Sequence, residues 1–216
     1  MNQQPPLVTI TRQYASGGSE IGRLVVEQLG GGWTLIDNEF VEQVARRAGL
    51  SRDEVARREE RAPGLLERLA RTLAVASPEM FVTTGEHPMP VGTEEDTIVK
   101  TTERVIEEAA SEGRVVLVGR GAQAVLATRP NALHVYVIAS KPFRRQVAIE
   151  RLGVTPETVE RVITETDQQR DQYVKTHYGR DRQDLTQYDI VLNAERLGFE
   201  GAAAVIVAEV TRRGWA

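Results

Sequence analysis

The stretch Val8-Thr9-Ile10-Thr11-Arg12-Gln13-Tyr14-Ala15-Ser16-Gly17-Gly18-Ser19-Glu20-Ile21-Gly22 carries a β-branched run into a turn of small residues and out into a helical pattern. Ile21, Leu24, Val25 and Leu29 recur at spacings of three and four, the stripe of an amphipathic helix, and Gly30-Gly31-Gly32 ends it. A strand that turns directly into a helix aims backbone N–H groups and a positive helix end at one point, which suits phosphate. The same Gly-Gly turn equally suits a backbone that only needs φ > 0.

Four further β-type runs follow, at 33–36, 115–118, 134–139 and 189–192. Most are continuously apolar or β-branched, the pattern of strands covered on both faces. Strands alternating with helices imply right-handed crossovers and a parallel sheet between helical layers. The crossover from 37 to 113 is unusually long, with helical pattern at 39–48, 52–60 and 65–76, a proline-rich loop around 84–90 and a helix near 94–112. An excursion of that size is expected to build a helical subdomain over the sheet's carboxyl edge. Residues 1–216 are thus expected to form one domain, with an insertion at 38–112 and a basic helical segment at 141–182 holding nine basic and seven acidic residues.

At 216 residues the chain can bury a core without cross-links, and with no cysteine it has neither disulfides nor thiol chemistry. A net charge of −4 offers no general footprint for nucleic acid. No apolar run approaches the ~18–20 residues of a membrane span, and the N-terminus lacks the pattern of a signal peptide, so a cytoplasmic location is expected. The three histidines, at 87, 134 and 177, have no metal-ligand spacing; His87 and His134 read as structural. The apolar helix at 65–76 suits either burial on the sheet or a homodimer contact.

Set against the phosphate-binding pattern G-x-x-x-x-G-K-[ST] and aligned on Gly17, the chain has Arg12 at the first glycine, Gly18 at the lysine and Ser19 at the magnesium-binding hydroxyl. Ser16, Gly17, Gly18 and Ser19 are the candidate phosphate cradle, with Ser19 either on Mg²⁺ or capping the helix. Gly18 supplies no cation, so Arg12 is the nearest substitute, and a lysine at 18 is expected to strengthen triphosphate binding. Asp37 closes the second strand at the carboxyl edge, where open α/β sheets bind ligands; it either orients a ligand or a magnesium-bound water there, or caps the next helix. Arg120 lies between Gly119 and Gly121, which let backbone approach a ligand closely. Asp167 and Arg170 share one helix face and could form an intrahelical ion pair.

These features resemble the cytidylate kinase-like family, a branch of the P-loop nucleoside monophosphate kinases. The resemblance rests on Thr11-Arg12-Gln13-Tyr14-Ala15-Ser16-Gly17-Gly18-Ser19-Glu20-Ile21, and on Ile36-Asp37, Val118-Gly119-Arg120-Gly121-Ala122, Phe143-Arg144-Arg145, Thr166-Asp167-Gln168-Gln169-Arg170 and Tyr188-Asp189-Ile190-Val191-Leu192-Asn193 in order. It implies a three-layer P-loop kinase-like α/β fold, a five-stranded, mostly parallel sheet with an acceptor-binding insertion and a lid at 141–182. It further implies ATP as donor, Mg²⁺, and a small nucleotide acceptor such as CMP or dCMP. Arg12, Asp167 and Arg170 then take catalytic roles, and Asp37, Arg120 and Arg145 bind the acceptor. The lid departs from the family's Arg-Asp-x-x-Asp-x-x-Arg: the aligned residues are Thr166, Asp167, Arg170 and Tyr173. A nucleotide-binding protein without turnover, and a kinase for a different small molecule, remain alternatives.

Overall fold

Leu7–Arg12 (β1) is buried along nearly its whole length because it is the middle strand of five. The computed structural model describes residues 4–37 and 93–216; the helices expected at 39–48, 52–60 and 65–76 and the loop at 84–90 lie outside them. Thr34–Asp37 (β2), Val115–Val118 (β3), Ala132–Ile138 (β4) and Ile190–Asn193 (β5) join β1 in the order β2-β3-β1-β4-β5. All four pairings are parallel, where a mostly parallel sheet was expected.

The helices are Gly18–Leu29 (α1), Thr93–Glu112 (α2), the single turn Ala122–Val125 (α3), Lys141–Leu152 (α4), Val159–Tyr178 (α5) and Ala194–Arg212 (α6), the last broken at Gly198. The pleat sends alternate strand residues to opposite faces. Val8, Ile10, Val116, Val118 and Leu133 meet Ile21 and Val25 of α1 and Ile206 and Val210 of α6 on one side. Leu7, Val115 and Leu117 meet Val105, Ile106 and Ala109 of α2 and Ala122 of α3 on the other. This two-sided burial is why the strands are apolar without alternation. No described helix is long and apolar enough to cross a membrane.

The order reverses around β1: α1 carries the chain to β2 on one flank, and β4 lies on the other. The carboxyl ends therefore line up, with Asp37 level with Val118 and Val118 level with Ile10. Arg12, Asp37 and the turn after β3 consequently share one edge of the sheet, the edge at which such sheets bind ligands.

His134 sits in this core rather than at that edge. It is buried, its Nδ1 lies 2.7 Å from the Thr9 hydroxyl, and its ring also hydrogen-bonds the Leu126 backbone. Burial holds its pKa below the usual histidine value, outweighing the attraction of Asp189. Below about pH 6.5 the unfolded chain takes up a proton that the folded ring resists, so stability is full above that pH and falls as pH drops. Urea unfolding between pH 7.5 and 5 should show a decline of at most about 1.4 kcal/mol per pH unit from this group. His134→Gln should remove that part of the slope; an unchanged slope would assign it to other groups.

Candidate active site

The loop after β1 is built by its own small polar residues. Gln13 N–H donates to Val137 O at 3.0 Å, and its side-chain oxygen accepts from Ala139 N–H at 3.0 Å. The fully buried Ser16 hydroxyl faces Gln13 O at 2.9 Å and Val137 O at 3.2 Å, and Ser16 N–H turns back to Gln13 O at 3.3 Å. Ser16 therefore stitches the loop to β4 rather than offering its side chain to a ligand. The expected cradle is one of loop amides, and it runs on from Ser16 through Gly17, Gly18 and Ser19. Gly17 (φ 88) precedes α1 with no side-chain cap, so the leading amides of the helix point out of the loop. The Phe199 ring stands 2.3 Å from where a Gly17 Cβ would lie, so nothing larger fits.

The Gly18 position is equally closed: a Cβ there would lie 2.8 Å from Arg12 Cβ and 2.9 Å from Arg12 Cγ. The expected benefit of a lysine at 18 is therefore corrected, because the Arg12 stem already fills that space. Ser19 is the second residue of α1 and half-buried at the loop mouth, and Asp37 is buried at the end of β2.

The polar groups of the loop are tied down by residues far along the chain. Tyr14 N–H donates to Asp167 Oδ1 at 2.8 Å, and Arg144 Nη1 donates to Asp167 Oδ2 at 2.6 Å and to Tyr14 O at 3.3 Å. Arg170 Nη1 and Arg182 Nη1 donate to the Arg12 carbonyl at 3.2 and 2.8 Å. Arg182 is itself set by Asp171 at 2.5 Å and by Asp167 O at 3.3 Å. Asp167 thus pairs with Arg144, with Arg182 3.7 Å from its other oxygen, and positions the loop. Arg145, expected at the acceptor, is not brought here: it lies exposed on α4, 3.7 Å from Glu160, and its neighbour Arg144 takes the inward position. Arg182 was missed as a site residue because Arg180-Asp181-Arg182, just beyond α5, differs in no sequence pattern from a solvated charged turn.

The turn after β3 completes the edge. Gly119, Arg120 and Gly121 all have positive φ, at 81, 59 and 67°. For a non-glycine residue such as Arg120 this costs on the order of 1 kcal/mol, and strain of this kind gathers at functional sites. A Cβ at Gly119 would fall 2.0 Å from Arg12 Nη1, and one at Gly121 would fall 2.7 Å from the Tyr178 ring. Arg12, Arg120, Arg170 and Arg182 line one cavity with Tyr173 and Tyr188, and among the described residues no carboxylate lines it. Burial raises the pKa of both Tyr178 and Tyr188, the latter to about 12, so both remain neutral phenols. Among the described residues its charged groups are four guanidinium groups, a kind of group that suits anions. The wider groove along α5 holds Glu165, Asp171 and Asp181 against Lys175 and Arg180 and has no such bias. Among the described residues no group of three or more His, Asp or Glu could hold a metal. A magnesium ion keeps several waters and needs few protein ligands; Ser19 lies in the first turn of α1 and Asp37 closes β2.

The model of the cytidylate kinase-like family matches residues 7–196. No curated protein matches the sequence. Among solved structures, an uncharacterized protein from Eubacterium ventriosum ATCC 27560 aligns with a TM-score of 0.64 at 18% identity, over 95% of this chain and 98% of that one. The shikimate kinase from Acinetobacter baumannii, in complex with shikimate, aligns with a TM-score of 0.51 at 15% identity over 98% and 96% of the two chains. That from Bacteroides thetaiotaomicron gives 0.51 at 13% identity over 95% and 98%. At these identities the likeness is one of fold.

Asp167→Asn should weaken the brace while keeping the shape of the side chain. Breaking a largely buried ion pair costs about 3–5 kcal/mol, reduced here toward about 2 kcal/mol because the Asp167 side chain is 19% exposed. Chemical denaturation checks this, and a change within about 0.5 kcal/mol would exclude Asp167 as a brace.

Proposed function

Since the chain belongs to the cytidylate kinase-like family, we propose that it is a phosphotransferase that moves the γ-phosphoryl group of ATP to a small anionic acceptor, in the simplest case CMP or dCMP. The observation that carries the reading is the cavity of four arginines between the β1 loop and the β3 turn. Phosphoryl transfer asks little covalent chemistry of a protein; it asks for two substrates in line and for charge to be met on the transferring oxygens. An oxygen of the acceptor's phosphate bonds to Pγ while the bond from Pγ to the β,γ-bridging oxygen breaks, and ADP leaves with that oxygen.

The leading amides of α1, from Gly17 onward, receive the donor's phosphates. Arg120, held in its strained turn, grips the acceptor's anionic group, and its planar fork suits two oxygens at once. Arg170 projects from α5 into the cavity, where it meets charge between the two substrates. Asp167 and Arg144 act on the loop, holding it in the binding shape. Ser19 and Asp37 are the groups to hold Mg²⁺, which when bound neutralises charge on the donor's phosphates.

One observation favours a second reading. Gly18 stands where such loops carry lysine, and a loop that lacks this cation suits a protein that binds nucleotide without turning it over. ADP release from Mg-ATP, measured against CMP, dCMP and the other nucleoside monophosphates beside an acceptor-free control, separates the two. Turnover that needs CMP or dCMP is the expected result. ATP binding with no acceptor-dependent turnover across the panel would favour the second reading, and no ATP binding would overturn both.

Arg120→Ala should weaken acceptor binding by about 1.5–3 kcal/mol, the worth of a hydrogen bond to a charged group, with ATP affinity retained. Calorimetric titration of both substrates checks this, and unchanged acceptor affinity would remove Arg120 from the site.

A further inference from the structure

We infer that Arg12 takes the place of the missing loop lysine, reaching from β1 into the space that a side chain at 18 would occupy, with Gly18 and Gly119 kept small to admit it. The inference rests on the donor-loop reading above and deepens it. The starting point of the side chain is fixed, because the Arg12 carbonyl is held by Arg170 and Arg182. From there the stem passes across Gly18: Cβ, Cγ and Cδ lie 2.8, 2.9 and 3.4 Å from where a Cβ at 18 would stand. The guanidinium ends over Gly119, with Nη1 and Cζ 2.0 and 2.7 Å from a Cβ there. Arg12 and a larger residue at 18 therefore exclude one another, while the cation that Arg12 carries stands over Gly119 rather than over Gly18.

The two solutions differ in what the cation reaches. A guanidinium has five donors in a rigid plane, whereas an ammonium is a compact point charge. The Arg12 side chain runs from the first residue of α1 to the turn that carries Arg120. One group thus spans the helix end assigned to the donor's phosphates and the turn assigned to the acceptor. It is 7% exposed and lines the arginine cavity, so its charge acts where water screens it little.

The test compares calorimetric affinities for Mg-ATP and for AMP, which lacks the β- and γ-phosphates, across folded variants checked by thermal melting. Arg12→Gln should lose about tenfold or more in ATP affinity while AMP affinity changes by less than about threefold. Gly18→Lys alone should lower ATP affinity or stability through collision with the Arg12 stem. The double variant Arg12→Ala/Gly18→Lys should return to within about tenfold of wild-type ATP affinity, because the lysine gains the vacated space. If the double variant does not fold, Arg12→Lys decides, and its ATP affinity should fall between wild type and Arg12→Gln.

Equal losses for ATP and AMP in Arg12→Gln would mark Arg12 as structural and overturn the inference, as would no loss for either. A folded Gly18→Lys that binds ATP more tightly than wild type would also overturn it. Wild-type protein that binds neither nucleotide would instead bring down the donor-loop reading itself.

Discussion

The Asp167 carboxylate lies between the Tyr14 amide and the Arg144 guanidinium, 2.8 and 2.6 Å away. A carboxylate of α5 and an arginine of α4 thereby fix peptide groups of the loop that follows β1. That loop has left the sheet and can no longer satisfy its backbone by strand pairing, so its donors and acceptors need other partners. Arg170 and Arg182 perform the same service for the Arg12 carbonyl. Bonds of this kind, with one partner ionised, are worth about 1.5–3 kcal/mol each. They hold a backbone that includes the positive φ of Ala15 and Gly17. With the brace in place, the orientation of the α1 amides and of the Arg12 side chain follows.

Charge is arranged in two tiers around this brace. Asp167 and Asp171 stand behind the loop and engage Arg144 and Arg182, while among the described residues no acid lines the cavity itself. Burying several cations together is costly unless counter-charges are near. The two aspartates meet part of that cost. Neutral walls from Tyr173 and Tyr188 keep the local dielectric low, so the attraction is felt more strongly than it would be in water.

The glycines of the site are defined by what fills the space they leave. Phe199 takes that of Gly17, Arg12 takes those of Gly18 and Gly119, and Tyr178 takes that of Gly121. The interlocks join α6, β1 and the end of α5 to the two turns that carry the site. Two shikimate kinases align over nearly the whole chain, but a shared fold leaves the acceptor open.

Much of this was legible in the amino-acid order. Continuous apolar runs with helices between them specify a parallel sheet with two covered faces, because burial on both sides leaves no reason for alternation. The turn from β1 to α1, the glycine stop after Leu29 and the carboxyl ends of the strands to within a residue follow from local pattern. The rule that ligands meet the carboxyl edge draws attention to Arg12, Asp37 and Arg120 there. What local pattern could not tell was which charged residue faces which. Arg144 and Arg145 are neighbours in one helix, yet one is buried against Asp167 and the other is exposed beside Glu160. Arg182 gained its place only when the segment after α5 folded back on β1. The Ser16 hydroxyl, in the middle of the expected cradle, stitches the loop to β4. Periodicity fixes the face of an element, whereas the partner of a long side chain depends on elements distant in sequence, and only their packing brings those together.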